Sequence, residues 1–106
     1  HKTYGEITKL NETINSSRTE IFPFVSADNK LYFTSDRRGG KGGLDIYSYD
    51  LKSTDSEQIP VSLEQPINSR GDDFSFFLND DLTTGYLSSR RLKGEGGDDL
   101  YYFSKF

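Results

Sequence analysis

Ser35-Asp-Arg-Arg-Gly-Gly-Lys-Gly-Gly-Leu-Asp-Ile-Tyr47 returns as Ser89-Arg-Arg-Leu-Lys-Gly-Glu-Gly-Gly-Asp-Asp-Leu-Tyr101, so the chain carries one unit twice. The likeness runs upstream of these loops. Ile14-Asn15-Ser16 matches Ile67-Asn68-Ser69 at a distance of 53 residues, whereas Tyr47 and Tyr101 lie 54 apart. One residue is therefore inserted between the two anchors, and it falls where 26–30 becomes 79–85, a polar stretch that absorbs a longer turn easily. Each unit keeps the same order: Ile-Asn-Ser, an acid (Glu20 or Asp73), an aromatic run, a polar turn, a second apolar run, an Arg/Gly loop, then Asp-aliphatic-Tyr. A period of this length built from short strands belongs to propellers or arrays, whose units need neighbours to bury their faces.

Composition points the same way. Hydrophobic residues supply only 32% of the chain while aromatics reach 14%, so large rings stand in for many small aliphatics. The aromatic and β-branched residues fall in runs of about five, a strand length and too short for helices. Eight strands are expected: Tyr4–Leu10, Ile21–Val25, Leu31–Ser35, Asp45–Asp50, Ile59–Leu63, Phe74–Leu78, Gly85–Ser89 and Leu100–Phe103. A turn at Asp28-Asn29 joins the second and third. Ile46 and Ser48 alternate with Tyr47 and Tyr49, giving that strand one buried and one partly exposed face. Pro60 makes Ile59–Leu63 an edge strand.

The expected fold is all-β, two four-stranded antiparallel blades of a β-propeller, with residues 1–57 forming the first blade and its leading outer strand and 58–106 the second. Each blade takes its outermost strand from the residues before the next Ile-Asn-Ser. Two blades do not close a ring, which takes about 4 to 8. The remaining blades are expected from the same longer polypeptide or from copies.

Along Ile14 to Tyr47 the pattern Ile-Asn-Ser, acid, Phe-Pro-Phe-x-Ser-x-Asp-x-Lys-Leu-Tyr-Phe-x-Ser-x-Arg-x-Gly-Gly-x-Gly-Gly-x-Asp-Ile-Tyr closely resembles the WD-repeat-like β-propeller repeat of the TolB type. It is most similar to the variant found in cell-envelope proteins of Bacteroidetes-type bacteria. There such propellers sit beside tetratricopeptide repeats and OmpA-like peptidoglycan-binding domains, and some members belong to type IX secretion and gliding machinery. The resemblance implies a periplasmic or outer-membrane-associated protein with other envelope proteins as partners. The second unit departs from the pattern, with Phe76-Phe77 in place of Pro-Phe and Asp80-Asp81-Leu82 in place of Asp-Gly.

Catalysis has little material. There is no cysteine, and the one histidine is His1, so neither a thiol nucleophile nor a Ser-His-Asp set is expected. The adjacent carboxylates Asp72-Asp73 and Asp98-Asp99 point to opposite faces of a strand and make poor acid–base couples. A noncatalytic chain without cofactor or metal is expected. The interleaved acidic pattern of a calcium loop is missing, so the repeated Asp45 and Asp99 read as architecture. Glu20 and Asp73 are expected to hold backbone or hydroxyl groups between adjacent units.

The glycines of the two loops match neither a P-loop nor a dinucleotide fingerprint and read as turn geometry. Of the arginine doublets, Arg37 and Arg90 are assigned to the frame, pairing with Asp45 or Asp99. Arg38 and Arg91, with Lys41 and Lys93, are the candidate partner contacts. A net charge of −4 opposes a nucleic-acid partner, and no apolar run is long enough to span a membrane as a helix. Three functions are expected in order: a protein-interaction scaffold, a glycan or peptidoglycan binder using Tyr47, Tyr49, Tyr101 and Tyr102, or the propeller of a larger peptidase.

Overall fold

Seven strands follow one another in the chain: β1 (Glu20–Val25), β2 (Lys30–Ser35), β3 (Asp45–Asp50), β4 (Val61–Ser62), β5 (Asp72–Leu78), β6 (Thr84–Arg90) and β7 (Asp99–Ser104). The computed structural model describes residues 3–37, 39–40, 42–91 and 98–105, and among these there is no helix. Every pairing is antiparallel, in a four-stranded sheet ordered β1-β2-β3-β4 and a three-stranded sheet ordered β5-β6-β7. The all-β expectation is met, and the six longer strands sit where the aromatic runs placed them.

Two expectations change at the sheet edges. Residues 4–10 form no strand, and Tyr4 and Ile7 are fully exposed. By the 53-residue spacing that segment corresponds to β4, which pairs with the third strand of the sheet preceding its own Ile-Asn-Ser; among the described residues no such sheet precedes residues 4–10. β4 itself shrinks to two residues, since Pro60 has no N–H to donate to the ladder. It lies within 58–106 yet hydrogen-bonds to β3, so the first sheet draws on sequence past residue 57.

The two hairpins carry the repeat into three dimensions. Phe24 faces Tyr32 across β1–β2, and Phe77 faces Tyr86 across β5–β6; Tyr32 faces Ser48 and Tyr86 faces Tyr102 on the next ladder. Both first ladders also shift register, between Ile21 and Phe24 and between Asp73 and Ser75. The inserted residue is Thr83. In the first turn Ser26 N–H donates to Lys30 O, a reach of four residues, whereas Asn79 N–H reaches Thr84 O, five residues on. Asn29 and Leu82 share a left-handed backbone, φ 62° in each. For leucine that conformation is costly, by roughly 1–2 kcal/mol, and it is held because Asp81 Oδ1 accepts from both Thr83 and Thr84 N–H.

The sheets pack face to face through a mostly aromatic layer. Tyr32 and Ile46 of the first sheet meet Phe76 and Leu78 of the second, with Phe24, Leu63, Ile67, Leu82 and Phe103 at the margins. Ring centroids lie 4.5 Å apart for Tyr32–Phe76, 4.9 Å for Phe24–Phe77 and 5.3 Å for Phe76–Phe103, a spacing at which tilted or offset rings attract beyond their buried area. Thr34 Oγ1 donates to Phe74 O across the same junction. The opposite face of the first sheet holds Leu31, Phe33 and Tyr47 under Ile14, so the residues ahead of β1 cover it.

Candidate functional site

Each sheet is closed at one end by an equivalent set of four side chains, two serines, an arginine and an acid that is Glu20 in the first and Asp73 in the second. In the first, Glu20 accepts from Ser16 N–H and Oγ–H, from Ser35 Oγ–H at 3.2 Å, and from Arg37 Nη2 at 3.1 Å. In the second, Asp73 accepts from Ser69 N–H at 2.7 Å, from Ser89 Oγ–H at 2.6 Å, and from Arg91 Nη2 at 3.1 Å. The arginines finish the clasp on backbone: Arg37 donates to Thr13 O at 2.7 Å and to Ile14 O, and Arg91 to Pro66 O at 2.8 Å and Ile67 O at 2.7 Å. Each guanidinium also lies over rings, Arg37 above Phe33 and Tyr47 and Arg91 above Tyr101. The buried carboxylate of Asp73 thus has a charge partner and hydroxyl donors, the condition under which burying it is tolerable.

This geometry revises the arginine assignments. Arg91, expected to face a partner, is the counterpart of Arg37 and closes the second clasp. Arg90, expected to serve the frame, lies over Phe74 and pairs with Asp98 at the surface. The arginine clasps use Glu20 and Asp73 as their carboxylates, within one unit rather than between units. Asp45 is fully buried and accepts from Gly42 N–H at 3.0 Å, so it shapes the glycine loop before β3. Asp99 opens β7 at the matching position, facing Ser89 as Asp45 faces Ser35. Arg38, Lys41 and Lys93 lie outside the described residues.

A second device, unforeseen from sequence, joins the two sheets. Asn68 is fully buried; its Oδ1 accepts from Ile46 N–H at 2.7 Å, and its Nδ2 donates to Ile46 O and Leu63 O at 2.9 Å each. It reads the backbone of β3 and holds the strand that follows. Beside it, Asp73 N–H donates to Leu44 O at 2.8 Å and Leu44 N–H to Asp72 Oδ1 at 2.9 Å. The recurrence of Ile-Asn-Ser marked the position without giving its role; asparagine suits it because only a side chain with both an acceptor and a donor can satisfy the N–H and C=O of one residue together.

The aromatic residues expected at the surface divide. Tyr47 is buried and its hydroxyl donates to Arg37 O, and Tyr49 accepts from Asn11, so both belong to the first sheet's own packing. Tyr101 lies under Arg91. Tyr102 is exposed and meets Tyr86 edge to face at 5.5 Å. Among the described residues no group of three or more His, Cys, Asp or Glu comes together as a metal site, and no helix is long and apolar enough to cross a membrane.

No family model matches the chain, and neither a curated protein nor a solved structure is significantly similar to it.

Proposed function

We propose that the chain is a noncatalytic segment of a β-propeller whose two sheets are successive blades, and that it serves as a protein-interaction scaffold in a bacterial cell envelope. The observation that supports this most is the pair of equivalent clasps, Ser16-Glu20-Ser35-Arg37 and Ser69-Asp73-Ser89-Arg91, in which the repeated charged groups hold turns. A repeated, internally satisfied frame leaves recognition to the loops and outer faces that it carries. The envelope setting and the link to secretion or gliding assemblies rest on the resemblance of the repeat.

The test is capture of partners from the envelope fraction of the source organism by the immobilised chain, compared with Arg38→Glu/Lys41→Glu. Loss of a specific partner with an unchanged circular dichroism spectrum supports loop-borne recognition. An unchanged partner set removes those loop cations from the account. A glycan reading draws on the exposed Tyr86–Tyr102 pair, whose rings could stack on sugars. Calorimetry against muropeptides decides it: absence of heat ends that reading.

A further inference from the structure

We propose that a second copy of this chain docks head to tail on the first, the β7 edge and outer face of one copy meeting residues 7–16 of the next. The inference deepens the blade reading and rests on it for the equivalence of the two sheets. The junction between the first and second sheets supplies the template, and each of its halves recurs unpartnered at one end of the molecule.

The first half is the asparagine. Asn15 stands where Asn68 stands in the repeat, and Asn15 Nδ2 donates to Leu10 O as Asn68 Nδ2 donates to Leu63 O. The arginine clasp already fixes the turn, through Thr13 O and Ile14 O. What Asn15 lacks is the β3-type residue: Oδ1 has no hydrogen-bond donor among the described residues, whereas Asn68 Oδ1 holds Ile46 N–H. The equivalent of Ile46 is Leu100, one residue into β7.

The second half is the face that carries Leu100. Ile46 is 0% exposed and Tyr32 7%, both covered by the second sheet; their equivalents Leu100 and Tyr86 are 85% and 50% exposed. Tyr102, opposite Tyr86 on the ladder, lies open on the same face, and Phe77, also opposite Tyr86, is half exposed while its ring touches Phe24. A contiguous apolar face of this kind marks an interaction surface. At the other end Leu10, Ile14, Ile21 and Leu31 line a hollow, with Val25 exposed opposite Leu31 on the ladder; Ile14 corresponds to Ile67, so the hollow stands where the inner face of the second sheet stands at the existing junction.

Strand pairing completes the fit. β4 adds to β3 with Tyr47 opposite Ser62 and Ser48 opposite Val61. Translated by the repeat, Tyr101 receives Lys9 and Tyr102 receives Thr8 of the second copy, giving the three-stranded sheet its fourth strand and residues 7–10 a ladder. Main-chain pairing along an open edge is a recurrent mode of association. Because the two surfaces differ, the contact is heterologous, and successive copies add until a ring closes.

The test is sedimentation of the 106-residue chain over a concentration series, with Asn15→Ala at one end and Leu100→Lys at the other. Wild type is expected to associate beyond two copies, and each variant alone to weaken association by at least about tenfold. Mixed in equal amounts, the variants each retain the surface that the other lacks, so they form a species of two chains and stop. Leu100 is exposed, so its substitution leaves the fold intact, as circular dichroism will verify. A wild-type chain that folds only on concentration also supports the proposal; one unfolded throughout overturns it. A folded wild-type monomer overturns copy-to-copy docking and leaves these surfaces to further repeats of a longer polypeptide, with the blade reading intact if Tyr32 still contacts Phe76. Loss of that contact in a folded chain removes the blade reading itself.

Discussion

Replacing Asn68 with alanine should cost far more than the same change at Asn15, although the two occupy one motif. Removing the Asn68 amide strips Ile46 N–H of its acceptor and Leu63 C=O of the amide donor, while Ile46 C=O keeps Leu63 N–H at 3.0 Å. Orphaning the buried Ile46 N–H costs about 1–3 kcal/mol and losing the part-buried bond to Leu63 C=O about 0.5–1.5 kcal/mol, so the two together cost about 1.5–4.5 kcal/mol. A chain of this length is stable by only about 5–16 kcal/mol, so the loss is a large fraction of the whole. Asn15→Ala removes one exposed hydrogen bond, to Leu10 O, and should cost less than about 1 kcal/mol. Urea unfolding followed by far-ultraviolet circular dichroism, at a dilution where the chain is monomeric, measures both. Parallel transitions of equal slope make the midpoints comparable. Equal losses for the two variants would refute the claim that Asn68 is the clasp between the sheets.

Three further outcomes follow from the same contacts. Arg91→Ala should destabilise by about 3–5 kcal/mol, because it leaves the buried Asp73 carboxylate without its charge partner, whereas Arg90→Ala, at the surface pair with Asp98, should change stability by less than about 1 kcal/mol in the same unfolding assay. Gly42→Ala would drive a methyl group into the carbonyl oxygens of Gly71 and Arg70 and should cost about 1–3 kcal/mol, while Gly5→Ala meets open space and should be neutral by thermal melting. Stability should fall at both pH extremes. Asp28, Asp36 and Asp81 are held below their ordinary 3.8, by the Ser26 hydroxyl, Thr19 N–H and Thr83 N–H respectively, so their contribution is present above that value and lost as pH falls through the lowered ones. Burial raises Tyr32 and Tyr47 above 10.0, so their contribution is full below that value and lost as pH rises through the raised ones. A urea midpoint that climbs below about pH 4 or above about pH 10 would contradict this.

The longer strands were legible because their apolar residues, mostly rings, fall in runs too short for helices, and the second set followed from the repeat. The segment 4–10 reads like β4 in sequence but forms no strand, because an edge strand exists only where another edge receives it. The arginines were misassigned through the doublet itself. Arg37-Arg38 and Arg90-Arg91 look alike, yet Ser35 and Ser89 set the frame, and Arg37 stands two residues after its serine as Arg91 does after its own. The acids at 20 and 73 were visible as repeated positions, and their hydroxyl contacts were part of the expectation; the arginine that joins them was not, since a charge partner 17 or 18 residues away is placed by the hairpin and not by local pattern. Asn68 stood in plain view as a motif residue. Its role depends on the following sheet being folded back against β3, which no local feature encodes.

Nuclear Overhauser contacts in the folded chain test the central claim most directly, that the two repeats form sheets stacked face to face. The account predicts contacts between the rings of Tyr32 and Phe76, and between the Asn68 side-chain amide and the Ile46 backbone amide, together in one species. A folded chain whose strands show their ladder contacts while both of these are missing would contradict it.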